Sequence, residues 1–191
     1  DPMCGRGTTL LWCMRYGIRS KGVEQEQKAL SDVKQIVKRW SKIHQQKHQL
    51  KEGSVSNSKN KKKKSKFVEF TAAGSTMQII HGNSVDTVSI LGGERFHLVI
   101  SDLPYGIHHT TTKNTRNPLN VLQDCAKGWS ESLLPGGAMV LAFNSYIPKR
   151  EEVIDTFSDY QLTPLSFSAP HRVSESILRD IVVLKKSSDS R

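Results

Sequence analysis

Residues 1–24 read DPMCGRGTTLLWCMRYGIRSKGVE, and the interpretation of the whole chain starts from them. Gly5 and Gly7 stand two apart before an apolar helical segment, where backbone without side chains approaches a ligand closely at a helix N-terminus. The next segment, 18–23, is strand-like and ends in Glu24, about 20 residues on, where a nucleoside-binding fold places an acid for ribose hydroxyls. The stretch therefore predicts a loop, a helix and a strand that bind a nucleoside cofactor.

A second polar turn follows another strand-like run, 96–100 (FHLVI), and reads Asp102-Leu103-Pro104-Tyr105-Gly106. Ligands of open α/β sheets bind beyond the carboxyl ends of the strands, and Pro104 stiffens the turn because it fixes its own φ. Asp102 and a turn carbonyl can accept both hydrogens of an exocyclic amine, which aims the nitrogen lone pair. We interpret the turn as a methyl-acceptor site, with an ordinary strand-to-loop turn as the alternative.

Together, Asp1-Pro2-Met3-Cys4-Gly5-Arg6-Gly7-Thr8 and Asp102-Leu103-Pro104-Tyr105-Gly106 resemble the class I S-adenosylmethionine-dependent methyltransferases that modify exocyclic amines. Within them the chain is most similar to the RNA methylase family that includes the THUMP-associated tRNA guanosine-N2 methyltransferases. The glycine loop precedes the acceptor motif, which favours the RNA group over DNA amino-methyltransferases. The resemblance implies an α/β fold with a doubly wound, mostly parallel Rossmann-like sheet and an antiparallel C-terminal strand.

The resemblance also implies S-adenosylmethionine as the cofactor. Asp1, Gly5 and Gly7 are expected to surround its methionine part, and Glu24 is expected to hold the ribose. Asn83 stands where the family has an acid for the adenine amino group; its amide oxygen accepts a hydrogen bond but brings no charge. The complete set of expected cofactor-binding residues is Asp1, Pro2, Cys4, Gly5, Gly7, Glu24, Gln25, Asn83, Ser84 and Asp102.

Methyl transfer to an amine needs positioning and electrostatic stabilisation at the acceptor rather than a strong base. The expected catalytic residues are Asp102, Leu103, Pro104 and Tyr105, with Tyr105 stacking on an extruded or looped-out base. The expected substrate-binding residues are Tyr105, Gly106, His108, His109, Lys113 and Arg116. No metal is predicted, because the adjacent histidines lack the i, i+4 spacing of a helical metal site.

The leading functional prediction is methyl transfer to an exocyclic amine of a base in RNA, with guanine N2 in tRNA as the favoured target. The same clamp fits adenine N6, cytosine N4 or a protein glutamine amide, and these alternatives stay open. Two residues depart from the family pattern: Arg6, where the family has a small residue, and Asn83. They support an alternative from another functional class. In that alternative the chain is a non-catalytic RNA-binding module or a partner subunit that retains the fold. RNA and a protein partner are therefore the expected partners.

Length and composition bear on the number of domains, the role of the cysteines and the cellular location. A chain of 191 residues predicts one catalytic domain, 1–191, and Asp1 corresponds to the end of the first strand, which is expected to be truncated. Cys4, Cys13 and Cys125 lack CxxC spacing, which favours neither a disulfide framework nor a zinc site. No apolar run approaches the ~20 residues of a membrane span, and no signal-peptide pattern is present. We expect an intracellular protein of the cytoplasm or nucleus that does not associate with membranes.

The positive charge is concentrated in one insertion. Residues 38–66 contain eleven Lys or Arg and a single acid, Glu52, so their net charge equals the +10 of the whole chain. The segment 51–66, which ends in GSVSNSKNKKKKSK, is predicted to be disordered because it has too few apolar residues to bury. We interpret it as a tether for nucleic-acid phosphates, with a nuclear-localisation run or a solvated insertion as alternatives.

Hydrophobic periodicity predicts helices that alternate with strands. The predicted helices are 8–16, 25–43, 119–133 and 150–157, and the predicted strands are 18–23, 77–80, 96–100, 138–143, 162–168 and 177–185. In the second helix, Leu30, Val33 and Val37 recur at helical spacing and mark the face that packs on the sheet. Pro135-Gly136-Gly137 is expected to stop the third helix.

Overall fold

The computed structural model describes residues 1–58, 62, 64–104 and 118–188. The chain groups into two compact units, Asp1–Gly93 and Glu94–Arg191, each with a sheet and a buried core of its own. The expected single catalytic domain over 1–191 stays a prediction. Among the helices in the described ranges, none has the length and apolar character needed to cross a membrane.

Unit 1 is built on a four-stranded sheet with the strand order β1-β4-β3-β2. Its elements in chain order are α1 (Thr8–Arg15), β1 (Ser20–Glu24), α2 (Gln27–Ile43), β2 (His48–Ser56), β3 (Lys64–Ala72), β4 (Ser75–His81), a 3-10 turn (Ser84–Asp86) and α3 (Thr87–Ile90). β1 and β4 run parallel, whereas β3 is antiparallel to both β4 and β2. The helices and strands predicted before residue 81 are confirmed to within a few residues.

The core of unit 1 lies between α1, α2 and one face of the sheet. The helices contribute apolar residues at i, i+3 and i+4 spacing, and the strands contribute alternate residues. The buried cluster contains Leu10, Met14, Leu30, Val33, Val37, Val68, Phe70, Met77 and Ile79. Burying one such side chain stabilises the fold by roughly 1.5–3 kcal/mol, so this cluster fixes how the helices pack on the sheet.

The basic insertion is ordered over much of its length, which corrects the predicted disorder of 51–66. Residues 51–56 belong to β2 and residues 64–66 to β3, and the two strands pair in antiparallel register from His48↔Ala72 to Ser56↔Lys64. Composition alone misleads here because β3 continues into Phe67 and Val68, which are buried. Pairing with β4 therefore stabilises strands whose own sequence is mostly polar.

Unit 2 is built on a five-stranded sheet in which β8 also pairs with β9. Its elements in chain order are β5 (Phe96–Asp102), α4 (Pro118–Glu131), β6 (Leu133–Asn144), α5 (Arg150–Asp155), a 3-10 turn (Ser158–Tyr160), β7 (Leu162–Pro164), β8 (His171–Ser174) and β9 (Ile177–Lys186). β5 and β6 run parallel, and β9 is antiparallel to β6. The predicted α/β class and its antiparallel C-terminal strand are confirmed.

Pro135-Gly136-Gly137 does not follow a helix directly, as the sequence suggests, but lies inside β6. The register between β5 and β6 shifts there, from Phe96↔Leu133 to Leu98↔Ala138. Gly136 has a φ of +70°, and a Cβ on Gly137 would approach the backbone oxygen of Leu134 to 2.9 Å. The glycines therefore form an irregularity within the strand.

Candidate cofactor and acceptor sites

The glycine loop of unit 1 requires its two glycines for different reasons. Gly5 and Gly7 have φ values of +52° and +79°, in the left-handed region that favours glycine. A Cβ on Gly7 would lie 2.7 Å from Ile79 Cδ1, whereas one on Gly5 would meet no atom within 4 Å. Gly7 thus lets the start of α1 pack against the sheet, while Gly5 keeps the loop surface bare.

Glu24, the last residue of β1, ties this loop to the sheet edge. Its Oε2 accepts the Gly5 N–H at 2.9 Å, and its Oε1 accepts the Glu26 N–H at 2.9 Å. Hydrogen bonds from backbone donors to an ionised carboxylate are short and strong. The half-buried carboxylate is therefore oriented beside the loop.

The turn that follows β4 lies at the same edge of the sheet. In the parallel register Glu24 is opposite His81, and the Gly82 N–H donates to the Glu24 carbonyl at 2.9 Å. His81 Nε2 lies 3.0 Å from the Gln25 carbonyl oxygen, which can only accept, so Nε2 carries the proton. These contacts connect the carboxyl ends of the two strands.

Asn83 and Ser84 follow directly. Asn83 is exposed, and its Oδ1 caps the 3-10 turn by accepting the Val85 N–H at 3.0 Å. The Ser84 carbonyl accepts the Thr87 hydroxyl at 2.6 Å. The amide of Asn83 is thereby held at the surface of the edge that carries Glu24.

The residues before the glycine loop are fixed by the neighbouring strand. The Val23 N–H donates to the Asp1 carbonyl and the Cys4 N–H donates to the Val23 carbonyl, both at 3.1 Å. Pro2 and Cys4 are buried. Burial raises the pKa of the Cys4 thiol to about 12, so the thiol stays protonated at neutral pH and acts as a packing group.

Arg6, the cation inside the loop, is directed toward α2. Its Nε lies 3.4 Å from Asp32 Oδ2, and its side chain is 69% exposed. The guanidinium is thus held by an acid of α2. An exposed ion pair of this kind contributes little stability. Its main effect is to orient the Arg6 side chain toward α2.

Unit 1 therefore brings most of the sequence-predicted cofactor residues to one sheet edge. The loop with Gly5, the carboxylate of Glu24 and the turn with Asn83 meet beyond the carboxyl ends of two parallel strands, the position where open α/β sheets bind ligands. A carboxylate suits a vicinal diol, and an exposed amide suits a heteroaromatic edge that both donates and accepts. The set of donors and acceptors fits a nucleoside.

In unit 2, the predicted acceptor turn begins at the end of β5. Asp102 is the last residue of the strand and is exposed. Leu103 is buried, and its N–H donates to the Ala142 carbonyl at 2.8 Å, which fixes the turn to β6. Pro104 is half-buried. The other predicted residues of this motif and its loop lie outside the described residues: Tyr105, Gly106, His108, His109, Lys113 and Arg116.

Arg179, which the sequence did not reveal as a site residue, contacts the candidate acceptor carboxylate. Its Nη2 lies 3.3 Å from Asp102 Oδ2, and both side chains are partly exposed. Arg179 sits on β9, opposite Asn144 of β6. Arg179 and Asp102 are 77 positions apart in the sequence, so no local pattern indicates the pair.

Asn144 fixes the part of β9 that carries Arg179. Its Oδ1 accepts the Leu178 N–H at 3.2 Å, and its Nδ2 donates to the Ser176 carbonyl at 3.1 Å. The side chain is buried, so these bonds are shielded from water and costly to lose. Arg179 therefore extends toward Asp102 from a rigid strand.

Comparison with known proteins gives structural neighbours only. No protein-family model matches the chain, and no curated protein matches its sequence. One similar structure is TrmN from Thermus thermophilus, with a TM-score of 0.63 and 10% identity over 97% of this chain. The chain covers 42% of the TrmN chain, which is less than half of its length.

Two other neighbours are covered more completely. An rRNA methylase from Streptococcus thermophilus aligns with a TM-score of 0.57 and 11% identity, over 98% of this chain and 84% of its own. Magnesium protoporphyrin IX methyltransferase from Synechocystis, crystallised with bound SAM, aligns with a TM-score of 0.61 and 10% identity. The alignment covers 96% of this chain and 67% of that methyltransferase. The chain therefore has the Rossmann-like α/β fold of these methyltransferases.

Proposed function

We propose that this protein transfers a methyl group from S-adenosylmethionine to an exocyclic amine of a base in RNA, with guanine N2 in tRNA as the leading target. The observation that carries the proposal is the 2.9 Å hydrogen bond from the Gly5 N–H to the Glu24 carboxylate, because it holds the glycine loop beside the acid that we propose binds the ribose. Methyltransferase neighbours, among them an rRNA methylase, support the reaction class and an RNA substrate.

The edge of unit 1 fits this cofactor by its chemistry. Glu24 offers carboxylate oxygens to the ribose hydroxyls, and Asn83 offers an amide to the adenine edge. Gly5 leaves space for the methionine part, because even a Cβ at this position would meet no atom within 4 Å. When bound, S-adenosylmethionine supplies an electrophilic methyl carbon on a sulfonium.

In unit 2, Asp102 and a carbonyl of Leu103 or Pro104 would accept the two hydrogens of the target amine. These bonds draw the nitrogen lone pair out of conjugation and direct it at the methyl carbon, which is a positioning effect. Once the new N–C bond has formed, the nitrogen would carry a positive charge, and one of the two bound hydrogens would be released to water as a proton. Tyr105 is proposed to stack on the base, and His108, His109, Lys113 and Arg116 to contact the nucleotide and its phosphates.

A second candidate function, a non-catalytic RNA-binding subunit, is favoured by one observation. The carboxylate of Asp102, which the reaction needs for the amine, already has a cation at 3.3 Å in Arg179. In the catalytic proposal Arg179 orients the carboxylate. In the non-catalytic alternative the ion pair replaces the amine.

The test is incorporation of labelled methyl from S-adenosylmethionine into bulk tRNA, followed by nucleoside analysis. We expect N2-methylguanosine from the wild-type protein and from Asp155→Ala, an exposed control on α5, and none from Asp102→Ala. N6-methyladenosine as the only product would refute the guanine assignment. Absence of incorporation by a protein that binds S-adenosylhomocysteine would favour the non-catalytic candidate.

A further inference from the structure

The hairpin formed by β2 and β3 extends beyond the edge of unit 1 that carries the cofactor residues. Phe67 of β3 is opposite Ile80 of β4, and Glu24 of β1 is opposite His81, so Lys66 lies at the level where β1 and β4 end. Lys64 lies two residues farther, about 7 Å at strand spacing. The connection between β2 and β3 therefore starts past the carboxyl ends of the parallel strands.

The outer end of this hairpin is anchored. Asn57 is buried, and its Nδ2 donates to the Ser89 hydroxyl oxygen at 3.0 Å. The Ser58 N–H donates to the Ser89 carbonyl at 2.9 Å. Two hydrogen bonds thus tie the two residues that follow β2 to α3, and they oppose free movement of the hairpin.

Apolar packing supports the same end. Phe67, Ile80 and Ile90 form a buried cluster, and Val55 packs against it from β2. Gly53 lies under the Phe67 ring, where a Cβ would approach the ring carbons to 2.9 Å. The hairpin consequently has one apolar face that is covered by α3 and the strands.

The opposite face of the hairpin is basic and accessible. Ser65 and Phe67 are buried, whereas Lys64 and Lys66 are exposed, as is Lys62. Residues 53–66 contain six lysines and neither Asp nor Glu. Successive lysines on one strand face are about 7 Å apart, and Ser54 and Ser56 stand opposite them in the antiparallel register.

We infer that the β2–β3 hairpin is an RNA-binding arm whose lysines, Lys62, Lys64 and Lys66, contact backbone phosphates next to the cofactor edge of unit 1. The choice of RNA rests on the proposed function. Ammonium groups of lysine bind phosphates as point charges and release counterions, while serine hydroxyls can donate to phosphate oxygens. Such contacts position a nucleic acid without reading its sequence.

The experiment measures binding of a fluorescent tRNA transcript by anisotropy over a range of salt concentrations. The variant Lys62→Ala/Lys64→Ala/Lys66→Ala removes up to three phosphate contacts. Each contact contributes roughly 0.7–0.9 to the slope of log affinity against log salt. We therefore expect the salt dependence to become less steep, with the magnitude of the slope smaller by about 2. The affinity at low salt should fall by more than about tenfold.

A matched control variant removes the same charge elsewhere. Lys38, Lys127 and Lys185 are exposed and lie outside the hairpin. In Lys38→Ala/Lys127→Ala/Lys185→Ala we expect a slope within about 0.5 of the wild-type value, because a change in net charge alone removes no phosphate contact. Equal losses in the two triple variants would overturn the inference.

A third variant tests the rigid anchoring without changing charge. Asn57→Ala removes the bond to Ser89, and we expect weaker RNA binding with an unchanged salt slope, since the arm loses preorganisation but keeps its lysines. Unchanged affinity would contradict an ordered arm.

The anisotropy assay measures RNA binding and does not depend on methyl transfer. The RNA-binding arm and the methyltransferase function can therefore be refuted independently of each other. RNA binding that requires the hairpin lysines, in a protein that transfers no methyl group, would support the arm and refute the enzyme. Methyl transfer by a hairpin variant with wild-type RNA affinity would refute the arm alone.

Discussion

The backbone nitrogen of Gly5 lies 2.9 Å from Glu24 Oε2, so the glycine loop and the acid at the end of β1 form one hydrogen-bonded group. The other carboxylate oxygen accepts the Glu26 N–H, which opens the segment leading into α2. One side chain thus organises both backbone segments beside it. The proposed cofactor site depends on that organisation.

Replacing Glu24 with Ala should loosen both segments. The amides of Gly5 and Glu26 lose their acceptor, and we expect their hydrogen exchange, measured by NMR, to accelerate by about tenfold, equivalent to about 1.4 kcal/mol of local protection. The control is Glu52→Ala, which removes an acid paired with Lys34. Wild-type exchange rates at Gly5 in Glu24→Ala would show that the carboxylate does not hold the loop.

The two glycines of the loop should respond differently to alanine. Gly5→Ala introduces only the strain of a left-handed residue, about 1 kcal/mol. Gly7→Ala adds a Cβ 2.7 Å from Ile79 Cδ1, and overpacking costs a further 1–3 kcal/mol or so. In urea titrations, the free energy of unfolding should be smaller for Gly7→Ala than for Gly5→Ala. The opposite order would contradict the packing of the loop on β4.

Arg179 should act as a positioning residue for Asp102 if the protein is an enzyme. We expect Arg179→Ala to lower kcat for methyl transfer by about tenfold, the effect of losing one charge-assisted hydrogen bond, with little change in KM. Arg172→Ala, an exposed arginine on β8, serves as the control. A higher kcat in Arg179→Ala would mean that the ion pair inhibits the acceptor site.

Asp180 should make stability depend on pH. Burial alone would raise its pKa, but N–H donors from Ile181 and Ala169 and the Arg150 guanidinium lower the pKa below its ordinary value. A lowered folded-state pKa stabilises the protein above the unfolded value of about 3.9, and this stabilisation is lost as pH falls through the folded value.

The check is the unfolding free energy in urea between about pH 2 and pH 7. We expect the free energy of unfolding of Asp180→Asn to be about 2 kcal/mol lower at neutral pH, because the partly exposed Arg150 guanidinium loses its carboxylate partner. The decrease in the free energy of unfolding between neutral and acidic pH should also be smaller in Asp180→Asn than in the wild-type protein. A variant whose stability falls with acid as steeply as the wild type would assign that dependence to other carboxylates.

Local sequence predicted the elements that carry their own signal. Gly5, Gly7 and Glu24 lie within one stretch of 24 residues, and the pattern of glycines, helix and strand acid specifies a turn and a strand end without help from the rest of the chain. The helices with Leu10, Leu30 and Val33 were equally predictable, because their apolar residues repeat at helical spacing.

The hairpin and Arg179 could not be predicted in the same way. Lys64 and Lys66 alternate with buried Ser65 and Phe67, but the surrounding lysines dominate the composition, and the strand depends on pairing with β2 and β4. Arg179 reaches Asp102 across 77 residues. Contacts that tertiary structure creates leave no periodic or local signal in the sequence.

Calorimetric titration of the wild-type protein with S-adenosylhomocysteine tests the central claim, a cofactor site at the edge of unit 1, most directly. We predict micromolar binding, at least about tenfold weaker binding by Glu24→Ala through loss of a charged hydrogen-bond acceptor, and wild-type binding by Glu151→Ala, an exposed control on α5. Absence of binding to the wild-type protein, or equal binding by Glu24→Ala, would contradict this site.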